Sequence, residues 1–345
     1  MSVTIRDVAR RAGVSVSTAS RALNNRDDVS EAVRRRVVTA ARELHYTGNP
    51  HARALKGVTS KTLGVILYDT HALTFNANMT RGIYDVTTPQ GYSVIVISSN
   101  GDAETERQAH QMLRAKRVDG LLINSAQSGA APLQRLTDEN IPFVLLNRRL
   151  DDLDCDYTMV NYRQGGYLAT RYLLELGHRR ILNQLGSRKH PPGHERLIGY
   201  RQALQEFGIP FEPELVIYSE KAFENHAHVL EAMLRLQPRP TAILAYNDES
   251  AIPVLKALSD LSLQVPDDVS VVGQNDLSFA SYLIPPLTSV AHPIYEMGAR
   301  GAEILLQKLA WPAQQPWITQ HIVFEPKLTI RLSSSSPRVR QTVAV

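Results

Sequence analysis

Two groups of residues in this 345-residue sequence have the types and spacing to do chemistry. The first is a short polar run near the start, Val16, Ser17, Thr18, Ser20 and Arg21. An arginine fork matches guanine O6 and N7, a serine hydroxyl reaches several base edges, and valine methyls meet the thymine methyl. The second is scattered. Asp69, Asn124, Asn147, Arg148, Asn247, Asp248, Asn275, Asp276 and His292 each follow an apolar run, and Arg196 lies at the start of a helical stretch. Planar polar groups of these kinds grip paired hydroxyls, as sugar binding requires.

Other chemistries find no footing. No Gly-x-Ser-x-Gly elbow, phosphate-loop Gly-Lys-Ser/Thr or His-Glu-x-x-His is present. The single cysteine, Cys155, sits among Asp151, Asp152, Asp154 and Asp156, whose charges disfavour a thiolate. His190 and His194 are four apart, but Pro191, Pro192 and Gly193 argue against the helix a zinc pair would need. His226 and His228 alone are too few ligands for a metal. Neither a metal nor another cofactor is expected.

Charge separates the two groups. Residues 1–60 carry 11 Lys and Arg against 5 Asp and Glu. The other 285 carry 27 against 29, taken from totals of 38 and 34. A basic head on a near-neutral body points to a polyanion at one end. No run approaches the ~18 apolar residues of a membrane helix, and the first residues lack the pattern of a signal peptide. A cytoplasmic protein without a membrane partner is expected.

The elements that must position the first group are three short helices. Ile5, Val8, Ala9 and Ala12 repeat at helical spacing after a capping Thr4, and Gly13 supplies a turn. Ser15 caps a second helix with Ala19, Ala22 and Leu23 inward, and Ser30 caps a third with Val33, Val37, Ala40, Ala41 and Leu44 inward. Such a unit places its second helix in the major groove. The basic run Arg34, Arg35 and Arg36 is a candidate for phosphate contact. The second group needs a different frame. Apolar runs at 62–68, 92–98, 120–124, 143–147, 180–186, 242–245 and 269–273 alternate with helical stretches that include 104–116, 165–176, 195–207, 227–236 and 250–261. Continuous apolar strands between helices mean parallel sheets covered on both faces, with ligands at the strand carboxyl ends.

The phrase T-I-R-D-V-A-R-R-A-G-V-S-V-S-T-A-S-R-A-L-N, residues 4–24, resembles the DNA-binding domain of the lactose-repressor/galactose-repressor (LacI/GalR) family. The resemblance continues through E-L-H-Y-T-G-N-P-H-A-R-A-L-K, residues 43–56. In that family this stretch holds a hinge helix whose leucine wedges into the minor groove. It implies Leu55 as the wedge, flanked by Arg53 and Ala54. The body is similar too, in V-D-G-L-L-I-N (118–124), P-F-V-L-L-N-R-R-L (142–150), E-R-L-I-G-Y-R-Q-A-L (195–204), A-Y-N-D (245–248) and V-P-D-D-V-S-V-V-G (265–273). The asparagine-arginine pair 147–148 and the phrase opening at 195 are most similar to the galactose-repressor branch. The resemblance extends to the periplasmic sugar-binding proteins. It implies effector contact for Arg196 and Asn247, a stacking aromatic at Phe223, and a second aromatic at Phe75 in an eroded Leu-Thr-Phe-Asn phrase. The chain departs from the family at Gly273-Gln274-Asn275-Asp276, where an amide replaces the usual hydroxyl-gripping carboxylate.

The resulting expectation is a mixed α/β chain. It has a three-helix helix-turn-helix head (1–48), a hinge helix and linker (49–60), and a periplasmic-binding-protein-like core of two doubly wound subdomains (61–332). The first subdomain takes 61–160 and 292–320, the second 161–291 and 321–332. The serine-opened tail, 333–345, reads as disordered. The function implied is a homodimeric, non-tetrameric transcriptional regulator, a repressor of a carbohydrate-utilisation operon. Its partners are a palindromic operator DNA and a small carbohydrate effector held between the subdomains. The competing readings are a sugar-modifying enzyme with an accessory DNA-binding head, and an architectural DNA binder with an unused pocket.

Overall fold

A computed structural model of the chain describes residues 3–23, 26, 28–46, 59–68, 73–125, 129–188, 191–219, 225–312 and 314–338. The chain divides into two compact units, one of residues 1–62 with 117–119 and one of the rest. The hinge positions Arg53, Ala54 and Leu55, and the cleft candidates Asp69 and Phe223, lie outside the described residues.

The smaller unit is built from α1 (Ile5–Ala12), α2 (Val16–Leu23) and α3 (Glu31–Glu43). Thr4 opens α1, and its backbone N–H and its hydroxyl donate to Asp7 Oδ2 at 3.0 and 2.7 Å. These bonds hold the Asp7 carboxyl below the usual carboxylate range. Gly13 closes α1 at φ +63°, a conformation that side chains with a Cβ resist. The Thr18 N–H donates to Ser15 Oγ at 3.1 Å, which starts α2. Val8, Ala19, Ala22 and Val37 are fully buried at the centre, and these small side chains let the three helices approach closely.

The larger unit holds two six-stranded sheets. The first contains β1 (Thr62–Leu67), β2 (Ser93–Ser98), β3 (Gly120–Ile123), β4 (Phe143–Leu146), β5 (Tyr157–Val160) and β11 (His321–Phe324), in the order β11-β5-β4-β3-β1-β2. The second contains β6 (Ile181–Leu185), β7 (Val216–Tyr218), β8 (Ala242–Leu244), β9 (Ser270–Asn275), β10 (Thr288–Ala291) and β12 (Lys327–Thr329), in the order β12-β10-β9-β8-β6-β7. In the first sheet β1 pairs with β3, β3 with β4, β4 with β5 and β5 with β11 in parallel; in the second β7–β6, β6–β8, β8–β9 and β9–β10 are parallel and β10–β12 is antiparallel. Helices α4 (Leu73–Thr87), α5 (Ala103–Ala115), α6 (Ala130–Asp138) and α11 (Ile294–Ala310) belong to the first sheet's part of the chain. Helices α7 (Tyr162–Glu175), α8 (Pro191–Glu206), α9 (Asn225–Arg235) and α10 (Asp248–Asp260) accompany the second. Strand order reverses between β1 and β3 in one sheet and between β6 and β8 in the other. Those are the points where doubly wound folds bind ligands.

The chain passes between the sheets three times, at Asn161, at 292–293 and at 325–326. Two of the crossings are bonded together. Asn161 N–H donates to Phe324 O at 2.9 Å, and Asn161 Nδ2 donates to the Glu325 carboxylate at 3.0 and 3.2 Å. The third runs past them, the His292 ring lying 5.2 Å from that of Tyr162.

Three local expectations are corrected. Residues 321–324, assigned to the second subdomain, form β11 and pair with β5 in the first sheet. The chain returns to the second sheet only at β12. Second, the tail is ordered as far as it is described. Ser333 is buried, and its Oγ donates to Val271 O at 2.6 Å and accepts from Thr288 N at 2.8 Å. Ser335 N–H donates to Ser270 Oγ at 3.0 Å, and Ser335 O lies 2.9 Å from His178 Nε2. Serine hydroxyls here serve strand groups, a role that composition alone does not reveal. Third, Pro191 and Pro192 do not break the helix before His194 but open α8, because first-turn N–H groups have no helical partner to lose.

Helices pack through glycine. A Cβ on Gly199 of α8 would overlap the carbonyl oxygen of Arg163 in α7, and one on Gly166 would overlap the backbone of Arg196. Gly82 of α4 and Gly298 of α11 make the same kind of backbone contact in the other half. Gly199→Ala is expected to force α7 and α8 apart and cost about 1–3 kcal/mol. Gly193→Ala, whose new methyl meets only Ser187 O at 3.9 Å among the described residues, is expected to be neutral or stabilising. Urea unfolding of the two variants checks the contrast.

Candidate functional site

The head presents one outward face. Val16, Ser17 and Arg21 are exposed on α2, and Thr18 is half-buried. Ser15 Oγ lies 2.8 Å from both Ser17 Oγ and Thr18 Oγ1, which orients the first turn of the helix. Arg21 pairs with Asp28 at 3.1 Å with both side chains more than half exposed. Such a pair contributes little and exchanges readily for another anion. The basic run on α3 is partly spent inside the unit. Arg34 Nη2 donates to Arg26 O at 2.9 Å and Arg36 Nη2 donates to Ala12 O at 2.5 Å, while exposed Arg35 pairs with Glu31 at 3.3 Å.

In the larger unit Arg196 is the hub. It lies in the second turn of α8 with 4% of its surface exposed. Its guanidinium carbon stands 4.6 Å from the Tyr162 ring centre and 4.7 Å from that of Tyr246. Tyr162, the first residue of α7, donates from its hydroxyl to Asn147 Oδ1 at 2.7 Å, which ties the end of β4 to the start of α7. Burial pushes the Tyr162 phenol up, so the ring remains neutral. On its other side Tyr162 meets His292. His292 Nε2 is 3.0 Å from Gln274 Oε1. Since an amide oxygen only accepts, Nε2 carries the proton and Nδ1 presents a lone pair that has no partner among the described residues. Burial and the nearby Arg196 charge hold the His292 imidazole well below its ordinary pKa. Gly165 leaves room for the His292 ring, and Gly186 leaves room for the Tyr246 ring.

The structure thus brings Asn147, Arg196 and His292 together through Tyr162. The remaining candidates occupy the strand ends in separate ways. Asn124 follows β3, buried, its N–H on Ile66 O at 2.8 Å. Asn275 ends β9 at φ +97° with its Oδ1 unpartnered. Asn147 stands at φ +62° and Asp276 at φ +49°. Asn and Asp tolerate this conformation better than most residues, and it also occurs away from the candidate site at His45, Lys61, Asn100, Arg117, Asn140 and Ser262. Arg148 is half-buried, and burial lowers its guanidinium against the raising field of Glu106. Asn247 is buried and caps α10 by accepting from Ser250 N at 2.7 Å. Asp248 is fully buried, with its oxygens taken by Leu277 N and Ser289 Oγ at 2.6 Å each. Asp276 pairs with Arg331 at 2.6 Å and accepts from Thr329 at 2.9 Å. Phe75 is buried in the apolar core of the first sheet.

Tyr162, Tyr246 and Gln274 were not expected at the site. Tyr246 stood inside the A-Y-N-D phrase, and Gln274 inside the segment that departs from the family pattern. Tyr162 directly follows the helix-capping Asn161. Only folding shows that these side chains share one centre.

Residues 4–49 match the model of bacterial regulatory proteins of the lacI family, and residues 170–334 match that of a periplasmic binding protein-like domain. A ribose operon repressor of Haemophilus influenzae is 33% identical over 330 residues, covering 96% of this chain and 98% of that protein. The chain belongs to the lacI family. Another lacI-family relative, the HTH-type transcriptional repressor PurR of Vibrio atlanticus, is 34% identical over 310 residues, covering 89% of this chain and 92% of its own. Among solved structures, a lac repressor dimer bound to operator and the anti-inducer ONPF superposes with a TM-score of 0.83 at 28% identity, covering 97% of this chain and all of that one. A complex of the transcriptional regulator CelR with cellobiose gives 0.71 at 28% identity, covering 96% and 100%. As a lacI-family member, this chain is a DNA-binding transcriptional regulator with a ligand-binding core, and the enzyme reading falls. No described helix is long and apolar enough to cross a membrane.

Burial raises the Asp248 carboxyl to about 7. The folded state therefore holds a proton that the unfolded state releases near pH 4. Stability contributed by this group is full below that pH and is lost as pH rises toward 7. Asp248→Asn keeps an acceptor for Leu277 N and removes the titration. The urea midpoint is expected to fall less between pH 5 and pH 8 in Asp248→Asn than in the parent protein.

Proposed function

We propose that the cleft around Arg196 receives a small-molecule effector, and that its occupancy sets how well the heads of two copies hold a palindromic operator. The observation that carries this reading is the placement of the Arg196–Tyr162–His292 group. It lies beside the chain crossings and joins the strand ends of both sheets. A ligand there touches both halves at once and favours one closure state by its differential affinity. The regulated genes are those of carbohydrate utilisation, and the protein works as a repressor in the cytoplasm. The ribose operon repressor and the cellobiose-bound CelR support a sugar or sugar derivative as effector. Leu55, with Arg53 and Ala54, is assigned the minor-groove wedge on the family pattern of residues 43–56.

The partner copy is assigned to an exposed apolar face of the second sheet's half. Tyr282 and Ile284 are 84% and 93% exposed, with Ile330 and Leu332 also exposed. Leu332 N–H donates to Pro286 O at 3.0 Å, which gathers the two segments on one side. Ile284→Asp is expected to convert a dimer to monomers in sedimentation and to weaken operator binding with it. An unchanged dimer would move the interface elsewhere.

The direct test is a footprint of the full-length protein on its own upstream DNA, with and without sugars that raise its melting temperature. Arg21→Ala is expected to relax specificity at one operator position by about 1–3 kcal/mol. Equal weakening on operator and random DNA would remove its base-reading role. Leu55→Ala is expected to weaken operator binding while leaving effector affinity in DNA-free protein unchanged, as calorimetry would show.

A further inference from the structure

The ionisable groups described in the cleft are unbalanced in sign. Arg196 is almost wholly buried, yet it makes no ion pair among the described residues, and its Nε has no hydrogen-bond partner. Two tyrosine faces attend it instead. A desolvated cation gains less over an aromatic face than burying the ion costs. The rings therefore offset only part of the cost. Arg148, adjoining Asn147, also has a buried Nε without a partner.

The carboxylates described around the strand ends are already engaged. Glu106 is fully buried and accepts from Ser125 Oγ at 2.5 Å. Asp248 is held by Leu277 N and Ser289, Asp276 by Arg331 and Thr329, and Glu249 accepts from Thr74 N at 3.3 Å. Where a carboxylate could take two hydroxyl protons, the described strand ends hold the amides Asn147, Gln274 and Asn275, and of these only Asn275 has an unpartnered side-chain oxygen among the described residues.

We propose that the effector of this cleft is an anion, a small polyhydroxylated molecule whose carboxylate or phosphate oxygens are received by the Arg196 fork. The proposal rests on the reading of the cleft as the effector site. A guanidinium donates parallel bonds to either acid group, and such charge-assisted bonds are about twice as strong as neutral ones. The anion supplies the counter-charge that Arg196 lacks among the described residues. A neutral sugar in the same place leaves the arginine buried with its charge unmet, so discrimination arises from the cost of the wrong ligand as well as the gain from the right one.

The test uses the full-length protein in thermal denaturation and calorimetry at constant ionic strength. The probes are glucose and ribose, then gluconate and glucuronate, then glucose 6-phosphate and ribose 5-phosphate, with inorganic phosphate alone. At least one acidic probe is expected to bind more than about tenfold tighter than its neutral parent, and the carboxylate and phosphate arms tell which acid is read. Arg196→Gln is expected to weaken that acid by about 30-fold. Arg196→Lys, which keeps the charge but loses the fork, is expected to retain the preference for acid with weaker binding, and it serves if the glutamine variant fails to fold. Asn275→Asp, which adds a carboxylate, is expected to weaken acid binding by about tenfold. A neutral parent binding as tightly as its acid, or no response to any acid, overturns the proposal. If neutral sugar binds and Asn275→Ala abolishes it, the cleft reading survives that failure. If acid binding is the same in Arg196→Gln and Asn275→Asp as in the parent protein, the cleft reading falls as well.

Discussion

The site depends on two helices whose backbones touch. At Gly166 and Gly199 any side chain would collide with the opposite main chain, so α7 and α8 approach more closely than ordinary side-chain packing allows. That approach sets the Arg196 guanidinium over the ring of Tyr162 at the head of α7. Tyr162 then reaches Asn147 across to the first sheet, and His292 packs on its other side. Glycine is unfavourable in a helix by roughly 1 kcal/mol relative to alanine. Its presence here shows what the packing demands: a fixed distance between the arginine and the aromatic face that carries it.

Much of this was legible from residue order. The seven apolar runs expected as strands all form, because a strand buried on both faces must be apolar throughout. Helix α11, Ile294–Ala310, was not among the expected helices, although it packs on the first sheet's core. It contains Gly298 and Gly301, residues that weaken a helical reading by propensity while serving close packing. Strands β7 and β12 are three residues each, too short to leave an alternating pattern. The serines at 333–336 look like a disordered tail in composition and turn out to complete hydrogen bonds around β9 and β10.

The candidate site was legible by element more than by contact. Counting apolar runs finds the strand ends, and with them Asn124, Asn147 and Asn275. It does not tell that Asn247 and Asp248 turn inward to serve the fold, or that two tyrosines flank Arg196. Whether a polar side chain faces a ligand or braces a loop depends on residues tens of positions away. Asp276 illustrates this, being bound by Arg331 and Thr329 from the last strand region. The same holds in the head. The three consecutive arginines of α3 looked equivalent, yet Arg34 and Arg36 bond to carbonyl oxygens of their own unit.

The three crossings between the sheets have a mechanical consequence. Three straps that run side by side, two of them bonded through Asn161 and Glu325, behave like a door hinge with several knuckles. Bending about the line they share deforms each strap only slightly. Twisting the leaves, or sliding one past the other, would stretch or shear all of them together. The halves are therefore left with one soft coordinate, an opening angle. A molecule lodged against Tyr162 and His292 sits almost on that axis, where a small wedge acts on a long lever. A shift of an ångström at the pivot becomes several at the far rim, so this geometry serves as an amplifier of displacement whatever occupies it.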